Sequence, residues 1–238
     1  MKLKQLDFLD GINSPIDGEK SLKNFCNAKV IIGVDEVGRG PLAGPVVACA
    51  AILDESFKGD FLNDSKKISK KKREFIFESV KEACSCYAIA SASVQEIDST
   101  NILEANFLAM RRALSAIGVQ GLPHTNPELP IECKGEISSN ENFLIAVDGN
   151  LFIREVPQEI QIPIIKGDGK IAPISAASIL AKVYRDRLME EMSEKFPVYD
   201  FAKNAGYGTK KHLEALEKYG FSPIHRRTFR PKNIIIPE

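Results

Sequence analysis

Hydrophobic positions recur along this chain with two different periods, and the periods divide it into strands and helices. Lys29 to Val37 and Gly44 to Leu53 are apolar, β-branched runs separated by a glycine- and proline-rich turn, which predicts a hairpin. Cys86 to Val94 alternates small and apolar residues like a third strand. Phe143 to Val147 and Ile160 to Ile165 are short apolar runs that each close on a polar loop. Helical spacing replaces alternation over Lys67 to Ala83, where Phe75, Ile76, Val80 and Ala83 form a stripe behind Ser69 as N-cap. It returns over Asn101 to Ile117, with Gly118 as its stop, over Pro173 to Glu194, and over Thr209 to Tyr219, stopped by Gly220. Residues 1–27 are weakly patterned and predict a loose arm, with a helix only around Ser21 to Cys26. Residues 118–142, rich in Gly, Pro, Asn and Ser, form an enlarged loop with at most a small hairpin around Lys134-Gly135. Strands first paired by a hairpin and later alternating with helices predict one α/β domain built on a mixed sheet.

Composition adds little until charge is located. The 238 residues carry 32 basic and 32 acidic side chains, so net charge neither indicates nor excludes a polyanionic partner. The cations cluster, however. Lys66, Lys67, Lys70, Lys71, Lys72 and Arg73 stand together with no acid among them. Between Asp200 and Lys232 eight cations, Lys210, Lys211, Arg226 and Arg227 among them, face three acids. Beside a carboxylate site, such clusters read as a track for a phosphodiester backbone. The five cysteines include no Cys-x-x-Cys pair, and His124, His212 and His225 have no zinc-ligand spacing. No signal-peptide core and no membrane-length apolar run is present, so a soluble cytoplasmic protein with reduced thiols is expected.

The candidate chemistry lies where apolar runs end. Asp35 and Glu36 follow Val30 to Val34 directly and lead into Gly38-Arg39-Gly40. Carboxylates crowded in this way call for a cation. Asp148 closes the run Leu144 to Val147 and is followed by Gly149, the same arrangement, although Asp-Gly is also a common turn. Ser175, Ile179, Lys182 and Asp186 step along one helix face, which is also consistent with a surface Lys182–Asp186 pair. In a regular strand Asp35 and Glu36 point to opposite faces, so both serve one site only if the backbone bends there. Two commoner motifs fail. Gly38 to Gly44 has the wrong glycine spacing for a dinucleotide fingerprint, and Gly167-Asp168-Gly169-Lys170 lacks the first glycine and the Ser/Thr of a P-loop.

Taken together, Gly33 to Val46, Asp64-Ser65-Lys66-Lys67, Val147 to Asn150, Ser175 to Asp186, Gly206-Tyr207-Gly208-Thr209 and His225-Arg226-Arg227 closely resemble the ribonuclease HII family. The resemblance implies a ribonuclease H-like fold, a central mixed five-stranded sheet flanked by helices, with a small helical C-terminal extension. It implies a single catalytic domain over residues 1–238, of which 196–238 form a substrate-binding segment. By family analogy Asp35, Glu36, Asp148 and Asp186 are the catalytic acids and hold divalent metal, Mn²⁺ or Mg²⁺, in a two-metal mechanism. Gly38, Arg39, Gly40 and Tyr207 would read the ribonucleotide, and Lys66 would contact a phosphate. The implied substrates are RNA–DNA hybrid duplexes and DNA containing single ribonucleotides, cut on the 5′ side, in ribonucleotide excision repair and DNA replication. The alternative from another class is a non-catalytic hybrid-binding module of the same fold. Only 34 residues precede Asp35 and the fourth acid is aspartate, which favours type II over the sister class, ribonuclease HIII. Departures are the long 118–142 segment, Thr228 in place of a serine, and no evident sliding-clamp motif after Pro231. A monomer that does not engage a membrane is expected.

Overall fold

The computed structural model describes residues 9, 11–12, 14–58, 69–122, 131–232 and 234–237. Their centre is a mixed sheet of six strands in the order β4-β3-β2-β1-β5-β6. Strands β1 (Val30–Val37) and β2 (Val46–Leu53) form the expected antiparallel hairpin, and β3 (Cys84–Ala92) adds to it antiparallel. On the other side β5 (Phe143–Asp148) joins β1 in parallel, and β6 (Gln161–Ile164) joins β5 in parallel.

The sixth strand corrects the expected count of five. Glu132–Lys134, here β4, pairs with the outer edge of β3 where a hairpin around Lys134-Gly135 was the sequence reading. Three residues are too few to show a period. A side chain anchors the strand instead, since Lys134 Nζ donates to the Cys84 carbonyl at 2.6 Å.

Both faces of the sheet are covered, which explains why all eight residues of β2 are buried. Helix α4 (Ile102–Ala116) packs Ala105, Ala109, Ala113 and Leu114 against Ile32, Val34, Ala48 and Ala90. On the opposite face, α2 (Lys70–Ala83) and α5 (Ala172–Lys195) pack Ile76, Phe77, Val80, Ala176 and Leu180 against Val47, Cys49, Ala51 and Ile89. The long helix sits almost on the backbone of β1. A Cβ at Gly33 would lie 2.1 Å from the Pro173 carbonyl carbon. Gly33→Ala should therefore destabilise the protein by about 3 kcal/mol, the upper end of what overpacking costs. Urea midpoints of the two proteins would check this, and a loss below about 1 kcal/mol would mean that α5 can retreat from the strand.

Two further helices depart from the sequence reading. Helix α1 (Pro15–Cys26) begins well before Ser21, so most of the second half of the expected loose arm is helical. Ser14 caps it by accepting from the Asp17 N–H, and Pro15 presets the first turn. Its docking point is a gap rather than an apolar stripe, because a Cβ at Gly18 would meet the Lys170 carbonyl oxygen at 1.8 Å. The six-residue α3 (Val94–Ser99) was not foreseen. It is held by a capping box between Ser93 and Glu96.

Beyond α5, the short α6 (Phe201–Asn204) and α7 (Lys210–Tyr219) surround Ala43, Met189, Tyr199, Phe201, Ala215 and Leu216. Ala43 belongs to the loop between β1 and β2, so the C-terminal segment is built onto that loop. Among the described residues no helix is long and apolar enough to cross a membrane.

Candidate active site

Parallel pairing of β1 with β5 runs through Val34 and Val147, and the next residues are Asp35 and Asp148. Two carboxylates thus stand at neighbouring strand ends. Asp35 is only 5% exposed. Burial first, then the charges of Asp148 and Glu36, push its carboxyl up to about 8, against the opposing help of Ser178 and Lys182 on α5. Burial also raises Glu36, opposed by the Arg39 guanidinium.

No bend unites Asp35 and Glu36. The ladder with β2 continues in register through Asp35, Glu36 and Val37. Strand alternation therefore holds, and the side chains part. Asp35 meets Ser178 of α5, whereas Glu36 meets Asn106 of α4 and takes a 3.2 Å bond from Arg39 Nη1. The condition set by the sequence, a turn in the backbone, is replaced by acids that straddle the end of the sheet. They remain linked, since the Glu36 N–H donates to Asp35 Oδ1 at 2.7 Å.

Asp148 Oδ1 accepts from the Gly167 N–H at 2.6 Å and from the Asp168 N–H at 3.4 Å. Asp186 is placed differently. It lies one turn beyond Lys182 and pairs at 3.7 Å with Arg73 of α2, while Lys182 donates to Ser178 rather than to Asp186. The charges of Asp35, Glu36 and Asp148 are thus brought together, and Asp186 is turned towards α2. Among the described residues no three His, Cys, Asp or Glu side chains are gathered as an ion cage. The donor chemistry nevertheless fits a hard divalent cation. All the donors are oxygens, and three mutually repelling carboxylates, one of them buried, ionise together only beside positive charge.

The recognition candidates lie next to these acids. A cleft bounded by Glu36, Arg39, Asp148, Gly149 and Asn150 is walled by Leu103, Asn106 and Phe107 of α4. Tyr207 is 48% exposed, and its Cε1 lies 3.4 Å from where a Cβ of Gly40 would be. Gly38 is used differently from Gly40. At φ +94° its missing Cβ makes room for Arg185, 2.3 Å away, so it admits a buried side chain as well as any ligand. Asn106, Ser178 and Arg185 escaped the sequence reading. The signal for Asn106 was a polar residue inside the apolar stripe of a helix.

The basic clusters require correction. Lys66 and Lys67 lie outside the described residues. Of their neighbours, Lys70 pairs with Glu190 at 2.8 Å and Arg73 with Asp186. Arg226 is fully buried and cannot belong to a surface phosphate track, whereas Lys210, Lys211 and Arg227 are exposed. Thr228 keeps a hydroxyl contact, donating to Asp98 Oδ1.

Below Tyr207 a buried relay fixes the backbone. The Ser222 N–H donates to His225 Nδ1, which leaves the His225 proton on Nε2 facing His212 Nε2 at 2.9 Å. His212 Nδ1–H then donates to the Tyr207 carbonyl at 2.9 Å. Burial first, and then the His212 charge, hold His225 down to about 3. An unfolded histidine takes its proton near 6.5, so this stability is present above pH 6.5 and is lost as pH falls towards 3. At pH 5 the His225 contribution to the loss is about 2 kcal/mol. Thermal melts of the parent and His225→Gln between pH 7 and 5 should diverge accordingly, and parallel curves would remove the effect.

Residues 32–232 match the family model for Ribonuclease HII. A ribonuclease HII from Endomicrobium trichonymphae is 45% identical over 218 residues, which span 91% of this chain and 93% of its own. Among solved structures, the ribonuclease H2 from Pyrococcus horikoshii OT3 is similar with a TM-score of 0.62 at 27% identity, covering 84% of this chain and 93% of that one. The structure of the PCNA:RNase HII complex from Archaeoglobus fulgidus contains a chain similar at a TM-score of 0.60 and 22% identity, over 87% and 98%. At that identity the likeness concerns the fold alone.

Proposed function

The chain belongs to the ribonuclease HII family, and from this we propose that it cuts the phosphodiester on the 5′ side of ribonucleotides in hybrids and of single ribonucleotides within duplex DNA. Membership itself makes it a ribonuclease H, a nuclease acting on RNA–DNA hybrids. The observation that carries the finer reading is the placement of Asp35 and Asp148 at adjacent parallel strand ends, with Glu36 across the sheet edge.

In this reading Asp35, Glu36 and Asp148 hold the metal, Mg²⁺ or Mn²⁺, which suits an all-oxygen donor set, and Asp186 completes the set by giving up its 3.7 Å pairing with Arg73. When bound, the metal supplies Lewis-acid activation of the attacking water and neutralises charge on the leaving 3′-oxygen. The protein contributes orientation. Gly167 and Asp168 fix the Asp148 carboxylate, Ser178 and Lys182 steady Asp35, and Asn106 and Arg39 hold Glu36. Gly38, Arg39, Gly40 and Tyr207 form the surface that meets the ribonucleotide, and Lys66 takes a phosphate. Hydrolysis leaves a 3′-hydroxyl and a 5′-phosphate.

The test is cleavage of a DNA duplex carrying one ribonucleotide, with and without Mg²⁺ or Mn²⁺. Metal-dependent cutting on the 5′ side supports the reading, and cutting elsewhere or none overturns it. A second measurement needs no turnover. Mn²⁺ at about 100 times its Kd should stabilise the folded protein by about 2.7 kcal/mol in thermal melts. Asp35→Asn should lose most of that gain, and an equal gain in both proteins would place the ion elsewhere.

A further inference from the structure

Two arginines with no part in the reading above lie wholly inside the protein. Arg185 of α5 is 1% exposed and Arg226 is 0% exposed. Among the described residues neither is ion-paired with a carboxylate. A buried guanidinium without a counter-charge is costly unless oxygens surround it. Here the oxygens are backbone carbonyls. Arg185 donates to Pro45 at 3.1 Å, Ala43 at 3.1 Å and Ala205 at 2.9 Å. Arg226 donates to Gly44 at 2.9 Å, Arg39 at 3.1 Å and Gly38 at 2.5 Å. Five of the six acceptors belong to the loop between β1 and β2, and the sixth immediately precedes Gly206-Tyr207. Burial lowers both groups, Arg185 to about 10 and Arg226 to about 9, so both stay charged at neutral pH.

Peptide geometry extends this observation. In a trans peptide the C=O of one residue and the N–H of the next point in opposite directions. With the Gly38 and Arg39 carbonyls turned inward to Arg226, the N–H groups of Arg39 and Gly40 are turned outward. Among the described residues those two N–H groups meet no acceptor. The Tyr207 ring stands beside Gly40.

We infer that Arg185 and Arg226 are positioning residues that hold the loop carbonyls inward, so that the Arg39 and Gly40 N–H groups are presented to the ribonucleotide in front of Tyr207. This rests on the proposed role of that loop and of Tyr207 in recognition. The arginines touch no substrate. They act through the loop, and Gly38 lacks a side chain because Arg185 occupies its place.

Arg226→Lys and Arg185→Lys keep a charge but cannot span three carbonyls. In the full chain, hydrogen exchange at the Leu42 and Gly44 amides, which donate to Gly206 and Ile224, should quicken about tenfold in each variant, while β1, β2 and α5 stay protected. On a single-ribonucleotide duplex, kcat/KM should fall about 10- to 100-fold at a temperature where melts show the variant folded. Adding Tyr207→Ala should then cost much less than it does in the parent, because both changes remove one contact. Unchanged loop exchange, unchanged kcat/KM or fully additive losses would each overturn the assignment. So would two lysine variants that are unfolded at the assay temperature, since the pair would then serve folding alone. If Tyr207→Ala by itself leaves activity at the parental level, the recognition reading fails, and the exchange measurement still decides the arginines.

Discussion

Asp148→Asn is expected to lower the cleavage rate on a single-ribonucleotide duplex about a thousandfold, which corresponds to some 4 kcal/mol of lost transition-state stabilisation. The fold should hardly notice. An asparagine oxygen can keep the bonds from the Gly167 and Asp168 N–H groups, so what disappears is the charge rather than the anchor. Removing a carboxylate also removes repulsion towards phosphate, so duplex affinity should hold or tighten. Rates in Mg²⁺, melting temperatures and duplex titrations on the same preparation would separate these effects. A variant retaining more than a few per cent of the parental rate would end the metal role proposed for Asp148.

Tyr207→Ala carries the second large effect. A ring that is 48% exposed is not a core side chain held between two turn glycines. The backbone at this position is fixed on three sides. Its N–H donates to Asn204, its carbonyl accepts from the Thr209 N–H, and His212 donates to the same carbonyl. The ring is therefore free for a ligand while its base is rigid. Loss of an aromatic platform costs about 1–3 kcal/mol, so kcat/KM should fall roughly 10- to 100-fold while the melting temperature changes little. Tyr207→Phe keeps the platform and loses the hydroxyl, so it reports hydrogen bonding to the 2′-oxygen alone. Equal cleavage by all three proteins, or a melting collapse that accounts for the lost rate, would take Tyr207 out of recognition.

Elements with a long or clear period were legible in the chain. Both strands of the hairpin, the stripe of α4 and the span of α5 follow from apolar spacing, and Asp35 and Asp148 stood out because each ends such a run. What stayed hidden depends on contacts between residues distant in sequence. Helix α1 docks through the missing side chain of Gly18, and β4 is three residues long, so neither leaves a period to count. Charge counting placed Arg226 on a phosphate track, because a list of cations does not show which one is enclosed by carbonyls. Asp186 was found on the right helix, but its partner was not, since Arg73 is brought to it by the packing of α2 on α5. The link between Asp35 and Glu36 was expected from a bend. It comes instead from one N–H to carboxylate bond at a strand that stays regular.

The anchoring of the β1–β2 loop by Arg226 has a consequence for the order in which the site is assembled. The bonded residues are separated by 182 to 188 positions, and the bridge between Ala43 and His225 joins the same two regions. As the chain is synthesised, Asp35, Glu36, Asp148 and every strand of the described sheet have emerged by Ile164, and Asp186 follows with α5 by Lys195. The segment that seats the glycine loop comes some thirty residues later, and such long-range closures are intrinsically slow. A nascent chain can therefore possess three of its carboxylates before it possesses the surface proposed to select where they act. In that reading, recognition is acquired after the carboxylates.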